Sequence, residues 1–177
     1  MAKHSNDRHA TRRQLVQQAL LLSGAGLLGG HVLAHSKEDW PEVGISKSKW
    51  KQRLAPDAYS VLFEEATERP HTSELNKEKR DGQYICAACN LPLFKSKWKY
   101  ESGTGWPSFF DADKEHLGFK TDYKAFFPRK EYHCARCGGH QGHVFKDGPR
   151  PTGLRYCNNG LALKFVPEGD DLPELVL

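Results

Sequence analysis

Cysteine is the residue type in this chain best suited to chemistry, and four of the five cysteines fall in two C-x-x-C pairs, Cys86/Cys89 and Cys134/Cys137. Thiolates two residues apart on a tight turn both reach one metal ion. Two such turns facing each other supply the four soft, tetrahedral ligands that Zn2+ takes. A centre of that kind has no open coordination position, so it is structural and ties two distant stretches of a small domain together. The same spacing also suits two disulfides, which an oxidising compartment favours. A C-x-x-C disulfide is, however, more often a redox centre than a staple, and neither pair is followed by a helix that would lower a thiol pKa.

The fifth cysteine, Cys157, stands alone in PTGLRYCNNG. An inert, buried cysteine is one reading of it. Its neighbours point to another. Arg155, two residues earlier, puts positive charge on the same side of an extended chain, and Asn159, two residues later, puts amide donors there. Such surroundings are expected to lower the thiol pKa and expose the thiolate, which is the nucleophile.

Around these cysteines the chain divides into a leader and a body. The first 34 residues carry Lys3, Arg8, Arg12 and Arg13 against Asp7, so only about +1 of the formal net charge of +4 belongs to the rest. A basic surface for nucleic acid is therefore not expected. ATRRQLVQ, then ALLLSGAGLLGG, then HVLAHS reads as a secretory leader with small residues for a signal peptidase. Arg12 and Arg13, followed by Leu15 and Val16, resemble the twin-arginine signal for export of folded proteins. The apolar run is broken by Gly24, Gly26, Gly29 and Gly30 and falls short of the ~20 residues a membrane span needs. Cleavage after Ala34 is expected to leave a periplasmic protein with no stable membrane insertion.

In the body, Trp40 and Trp50 suggest a segment lying over the core. DAYSVLFEEAT, residues 57–67, opens on Asp57 as a candidate N-cap and sets Tyr59, Leu62, Phe63 and Ala66 at helical spacing. From Gly82 onward QYICAAC, LPLFKS, KWKYES, GFKTDY, EYHCARC, HVFKDG and ALKFVPEG alternate with Gly, Pro and Asp turn signals. This predicts a mainly β, antiparallel architecture rather than βαβ units. Tyr132, Tyr156 and Phe145 are assigned to the core, and GDDLPELVL reads as a tail.

GPRPTGLRYCNNG, with HQGHVFKDG overlapping its start and SGTGWPSFF at 102–110, resembles the signature of the B-type methionine sulfoxide reductases, which act on methionine-R-sulfoxide. TERPHTSEL at 67–75 and YICAACNLPLFKS at 84–96 are similar to the opening of that domain. The likeness spans roughly residues 47–166, leaving 1–34 as a cleavable leader, 35–46 as a lead-in and 167–177 as the tail. It implies two antiparallel sheets in a β-tent, short N-terminal helices, and a structural zinc held by Cys86, Cys89, Cys134 and Cys137. It further implies Cys157 as catalytic nucleophile, Arg155 and Asn159 as its flanking partners, His140 and His143 as active-site histidines, and Trp106 as the wall for the substrate methyl. The implied substrates are oxidised proteins or peptides, and the implied reductant is a thioredoxin-like protein or a small thiol. A monomer is expected. Taken alone, Trp106 could instead be a core anchor, His140 a group orienting the cysteine ligands, and Asn159 a turn residue.

The chain departs from the resemblance in four places. Thr104 stands where a subset of the family has a resolving cysteine, and there is no sixth cysteine, so if the C-x-x-C pairs stay metal-bound the oxidised Cys157 must be reduced from outside. Asn158 stands where a branched apolar residue is usual, Gly160 where Ser is usual, and Gln141 where Leu is common. These side chains are expected to open the site or loosen strand packing. Two other function classes remain: a zinc-knuckle adaptor with an inert Cys157, and a thiol-disulfide oxidoreductase working through its C-x-x-C pairs.

Overall fold

The computed structural model describes residues 43–176. The leader at 1–34 and the lead-in as far as residue 42, with Trp40, lie outside the described residues. The described chain begins with two short helices, α1 (Lys47–Arg53) and α2 (Pro56–Glu64). Ser46 caps α1 by accepting from the Lys49 amide at 3.4 Å. Trp50 on α1 is 2 % exposed and stacks on Phe63 of α2 with centroids 5.5 Å apart. The second helix starts one residue before the expected cap: Ala55 is the N-cap and Pro56 takes the first position, where its missing N–H costs nothing. It also stops early, because Glu65 turns left-handed at φ 56°, so Ala66 and Thr67 leave the helix.

Among the described residues nine strands form two sheets, antiparallel throughout. β1 (Gly82–Cys86), β2 (Pro92–Lys95) and β9 (Leu163–Pro167) form a sheet in the order β2-β1-β9. The other sheet contains β3 (Lys99–Tyr100), β4 (Ser108–Phe109), β5 (Leu117–Asp122), β6 (Arg129–Cys134), β7 (His140–Phe145) and β8 (Arg155–Asn158). Its order is β3-β4-β8-β7-β6-β5, which puts the strand of Cys157 between those of Ser108 and His143.

Strand alternation sends one face of the larger sheet inward against the smaller one. Phe109, Tyr132 and Tyr156 meet Tyr84 and Phe94 there, with Phe94 stacked on Phe109 at 4.2 Å and Tyr132 edge-on to Tyr156 at 5.5 Å. Each such aromatic pair adds about 0.5–1.5 kcal/mol beyond its buried area. Phe145, expected in this core, is instead on the opposite face. The residues flanking Cys157 on its strand are thus anchored inward, and Cys157 itself faces outward.

The C-terminal residues do not hang free. The Val176 amide donates to the Cys89 carbonyl at 3.2 Å, Arg136 donates to the Val176 carbonyl at 2.6 Å, and Asn90 donates to the Glu174 carbonyl at 2.8 Å. Among the described residues no helix is long and apolar enough to cross a membrane.

Candidate functional site

Cys157 and His143 are register partners across the β7–β8 ladder, so their side chains leave the sheet on the same face. Ser108 is the partner of Cys157 on the other side, in β4. The strands approach closely here because residue 142 is glycine: a Cβ on Gly142 would lie 2.0 Å from the Cys157 carbonyl oxygen. Cys157 and His143 open into a pocket of about 230 Å3 whose wall also includes Trp106, Phe145, Arg155, Thr104, Arg129 and Asn159. A larger groove, about 510 Å3 at one end of the three-stranded sheet, is lined by neither cysteine nor histidine.

Two carboxylates that the sequence did not single out hold this wall in place. Asp122 accepts from His143 Nε2 at 2.8 Å and from Arg129 at 2.6 Å. Its own acidity is increased, chiefly by the Lys124 backbone amide and then by His143 and Arg129. Asp147 takes both edges of the Arg155 fork, at 2.9 and 2.8 Å, and the guanidinium lies 4.3 Å from the centre of the Phe145 ring. Arg155 is therefore already paired, and this alters the expectation for the thiol. Burial pushes the Cys157 pKa up, while Arg155 and hydrogen bonds from Thr104 and Arg155 pull it down without winning. Burial likewise lowers the His143 pKa, against the pull of Asp122.

His140 is not on the pocket wall. It is 3 % exposed, with Nδ1 3.0 Å from a Glu131 carboxylate oxygen and its ring centroid 5.5 Å from that of His143. Asn159 does line the pocket, but its amide is bound to the backbone: Nδ2 donates to the Gln141 carbonyl at 3.0 Å and Oδ1 accepts from the Glu68 amide at 3.0 Å. With φ −69° and ψ 124° it is extended, not a hairpin-turn residue, and the strand ends before it, so the two-residue alternation does not carry its donors to the thiol. Trp106 is half-buried on the wall and donates its indole N–H to the Glu68 carbonyl at 2.8 Å.

Glu68 is thus a hub that sequence reasoning missed. Its amide holds Asn159, its carbonyl holds Trp106, and its carboxylate accepts from the Gly160 and Leu161 amides at 2.6 and 3.3 Å. The signal was present in the quoted stretch TERPHTSEL, as an acidic residue between Thr and Arg. Gly105, at φ 92°, brings the SGTGW loop against the same segment, its carbonyl accepting from the His71 amide at 2.7 Å.

Away from the pocket, Cys86, Cys89, Cys134 and Cys137 gather with all four sulfurs within 4.8 Å of one another. Both knuckles close alike. The fifth residue of each, Asn90 at φ 64° and Gly138 at φ 70°, is left-handed and donates its amide to the first cysteine's carbonyl, at 3.0 and 2.9 Å. Asn and Gly are the residues that tolerate this conformation. Two sulfur contacts run between knuckles, Cys89–Cys134 at 3.5 Å and Cys86–Cys137 at 3.6 Å, and all five cysteines are free. A disulfide needs about 2.05 Å, whereas four sulfurs about 2.3 Å from a tetrahedral ion lie about 3.8 Å apart, close to what is seen. This donor set fits a metal ion.

The departures at 141, 158 and 160 do not loosen the fold. Gln141 and Asn158 are each 0 % exposed and bonded to one another, and Gly160 leaves room for Ser73, whose Oγ would lie 1.9 Å from a Cβ there. A serine at 160 would displace the Ser73 hydroxyl from its cap on the Leu75 amide.

Comparison with known proteins agrees with this arrangement. The model of the SelR domain matches residues 54–167. A peptide methionine sulfoxide reductase MsrB of Leptospira interrogans is 49% identical over 128 residues, covering 72% of this chain and 98% of the relative. MsrB of Methanosarcina barkeri is 49% identical over 124 residues (70% and 87%), and that of Bradyrhizobium diazoefficiens 48% over 136 residues (76% and 98%). With its strands, its four-cysteine cluster and nearly the full length of these relatives matched, this chain belongs to the SelR-domain family, that of the MsrB peptide methionine sulfoxide reductases.

Proposed function

We propose that the chain reduces methionine-R-sulfoxide in oxidised proteins or peptides, with Cys157 as nucleophile, His143 as acid and Trp106 as the wall that receives the substrate methyl. The observation carrying this reading is the pairing of Cys157 with His143 across one ladder, both opening into a pocket walled by Trp106 and Phe145. A sulfoxide sulfur becomes a better electrophile when its oxygen is protonated, so the acid and the thiolate must act within about 3 Å of one substrate group. The thiolate attacks sulfur, the oxygen passes to Cys157, and two electrons pass to the substrate, leaving methionine and a sulfenic acid. Asp122 stabilises the imidazolium form of His143, and Asp147 with Phe145 keeps Arg155 beside the sulfur. Thr104 offers only a hydroxyl on the pocket wall. An external thiol therefore attacks the sulfenic acid, releasing water, and a second thiol resolves the mixed disulfide.

Turnover of separated R and S epimers of a peptide sulfoxide with dithiothreitol tests this reading. Activity on R alone is expected, and equal activity on both epimers, or on neither, overturns it. The pH profile follows from the two pKa directions. The thiolate grows in as pH rises toward a raised Cys157 pKa, and the imidazolium disappears as pH rises through a lowered His143 pKa. The product of the two forms is constant between those values and falls tenfold per unit outside them. We expect kcat/KM to be flat across the interval from 6.5 to 9.0, with limbs outside it. A steady climb through that interval would remove His143 from the acid role.

The four-cysteine centre is read as a zinc site, since four thiolates with no open position match that ion. When bound, zinc supplies a structural cross-link between the two knuckles. Residues 1–34 are read as a twin-arginine leader and the mature monomer as periplasmic, on the strength of Arg12–Arg13 and the apolar stretch after them. Retention of the Arg12→Lys/Arg13→Lys double variant in the cytoplasm, uncleaved, is the expected result in a bacterial host.

A further inference from the structure

Gln141, Asn158 and Tyr132 are three polar side chains sealed inside the protein, each 0 % exposed, and none takes part in the reaction above. Three of their hydrogen bonds run one way, while Asn158 Nδ2 also donates to the Asn159 carbonyl at 2.7 Å. The Tyr132 hydroxyl donates to Asn158 Oδ1 at 2.8 Å, Asn158 Nδ2 donates to Gln141 Oε1 at 3.3 Å, and Gln141 Nε2 donates to Cys86 Sγ at 3.6 Å. Cys86 is itself 0 % exposed and belongs to the four-cysteine cluster. A neutral thiol is a weak acceptor, a poor partner for a buried amide N–H. A metal-bound thiolate carries negative charge and is a strong one. Aligned donors also polarise one another, so each link strengthens the bond that ends on sulfur.

We propose that Tyr132, Asn158 and Gln141 form a buried donor chain that terminates on the Cys86 thiolate and holds the metal in the four-cysteine centre. The chain of donors offsets negative charge that the four thiolates bring into a largely buried site. It also links that centre to the strand of Cys157, because Asn158 is the next residue and the Gln141 carbonyl accepts from both the amide and the side chain of Asn159, at 2.8 and 3.0 Å. An apolar side chain at either position would fill the space and break the link. This inference rests on the zinc reading of the cysteine cluster.

The test is the rate at which the protein loses zinc to excess EDTA, read by metal analysis after gel filtration, with zinc per chain measured beforehand. Gln141→Met keeps an unbranched side chain of similar length and removes the donor. It is expected to lose zinc about tenfold faster, at the lower end of what loss of a group bonded to a metal ligand causes. In the Co2+-loaded protein the same substitution is expected to shift the sulfur-to-cobalt charge-transfer band, which a purely space-filling role would leave in place. Tyr132→Phe, at the far end, is expected to act in the same direction by a smaller factor. Zinc loss at the parent rate with an unshifted cobalt band in Gln141→Met overturns the proposal. If that variant does not fold, parent-like zinc loss in Tyr132→Phe overturns it instead. A parent protein that binds no zinc removes the metal reading first, an outcome distinct from a zinc-loaded parent with insensitive variants.

Discussion

Cys157→Ser is expected to lower the rate of sulfoxide reduction at least about 10³-fold, to the background of free dithiothreitol, with zinc content and unfolding midpoint unchanged. Two physical losses combine in that number. Serine's hydroxyl is far less acidic than a thiol, so at neutral pH almost no nucleophilic anion exists. Oxygen attached to oxygen would also be a peroxide, so serine has no counterpart of the stable sulfenic acid. The fold has little reason to notice the change. Cys157 faces a pocket, its strand neighbours Tyr156 and Asn158 carry the inward contacts, and the backbone bonds to β4 and β7 are untouched. Steady-state assay beside metal analysis separates the outcomes. Activity within tenfold of the parent would place the nucleophile elsewhere, and an inactive but zinc-free variant would mean that the substitution had damaged the fold.

Cys134→Ser is expected to destabilise the protein by more than about 4 kcal/mol and to bring bound zinc close to zero. Cys134 is 0 % exposed and sits where two tight turns meet, its sulfur 3.5 Å from that of Cys89, 45 positions away in the chain. Serine leaves three thiolates with a hydroxyl that ligates zinc poorly. Without the ion those three are crowded in a largely buried site, where negative charge is poorly solvated. The loss reaches further because the C-terminal segment is bonded across both knuckles at Cys89, Asn90 and Arg136. Thermal unfolding with metal analysis gives the answer. A drop of more than about 10 °C is the expected scale for a domain of this size. A variant that keeps stoichiometric zinc and the parent midpoint would show that the cluster does not hold the fold together.

What could be read along the chain was read from patterns whose physics is local. Two residues between cysteines suit one turn around one ion, and Asn90 and Gly138 fit the left-handed position that closes each turn. Short alternating runs broken by Gly, Pro and Asp make strands, because side chains alternate every two residues whatever the strand pairs with. Period alone also put Arg155 and Cys157 on one side of their strand. The two-residue β4 carries too little pattern to be seen, and the early end of α2 depends on a left-handed Glu65 whose carboxylate is held by Lys120 and Lys124 from the β5–β6 hairpin.

Other features depend on which distant residues come together. His140 and His143 look equivalent in HQGH, and only the β7–β8 register makes His143 the partner of Cys157 while His140 turns to Glu131. Asp122, Asp147 and Glu68 are ordinary acidic residues until the fold sets them against His143, Arg155 and Trp106. The direction of the Cys157 shift reversed for the same reason: a nearby arginine is visible in sequence, but its prior pairing with Asp147 and the depth of the sulfur are not. Gln141 and Asn158 looked like loosening substitutions, yet a polar side chain is costly only when its partners are missing, and here Tyr132 and Cys86 supply them. The sequence by itself determined the ligand turns, the strand pattern and the lone thiol, because spacing along a backbone governs them. Register, burial and charge pairing were decided by the tertiary structure, because they depend on the dielectric and the neighbours that only the folded chain creates.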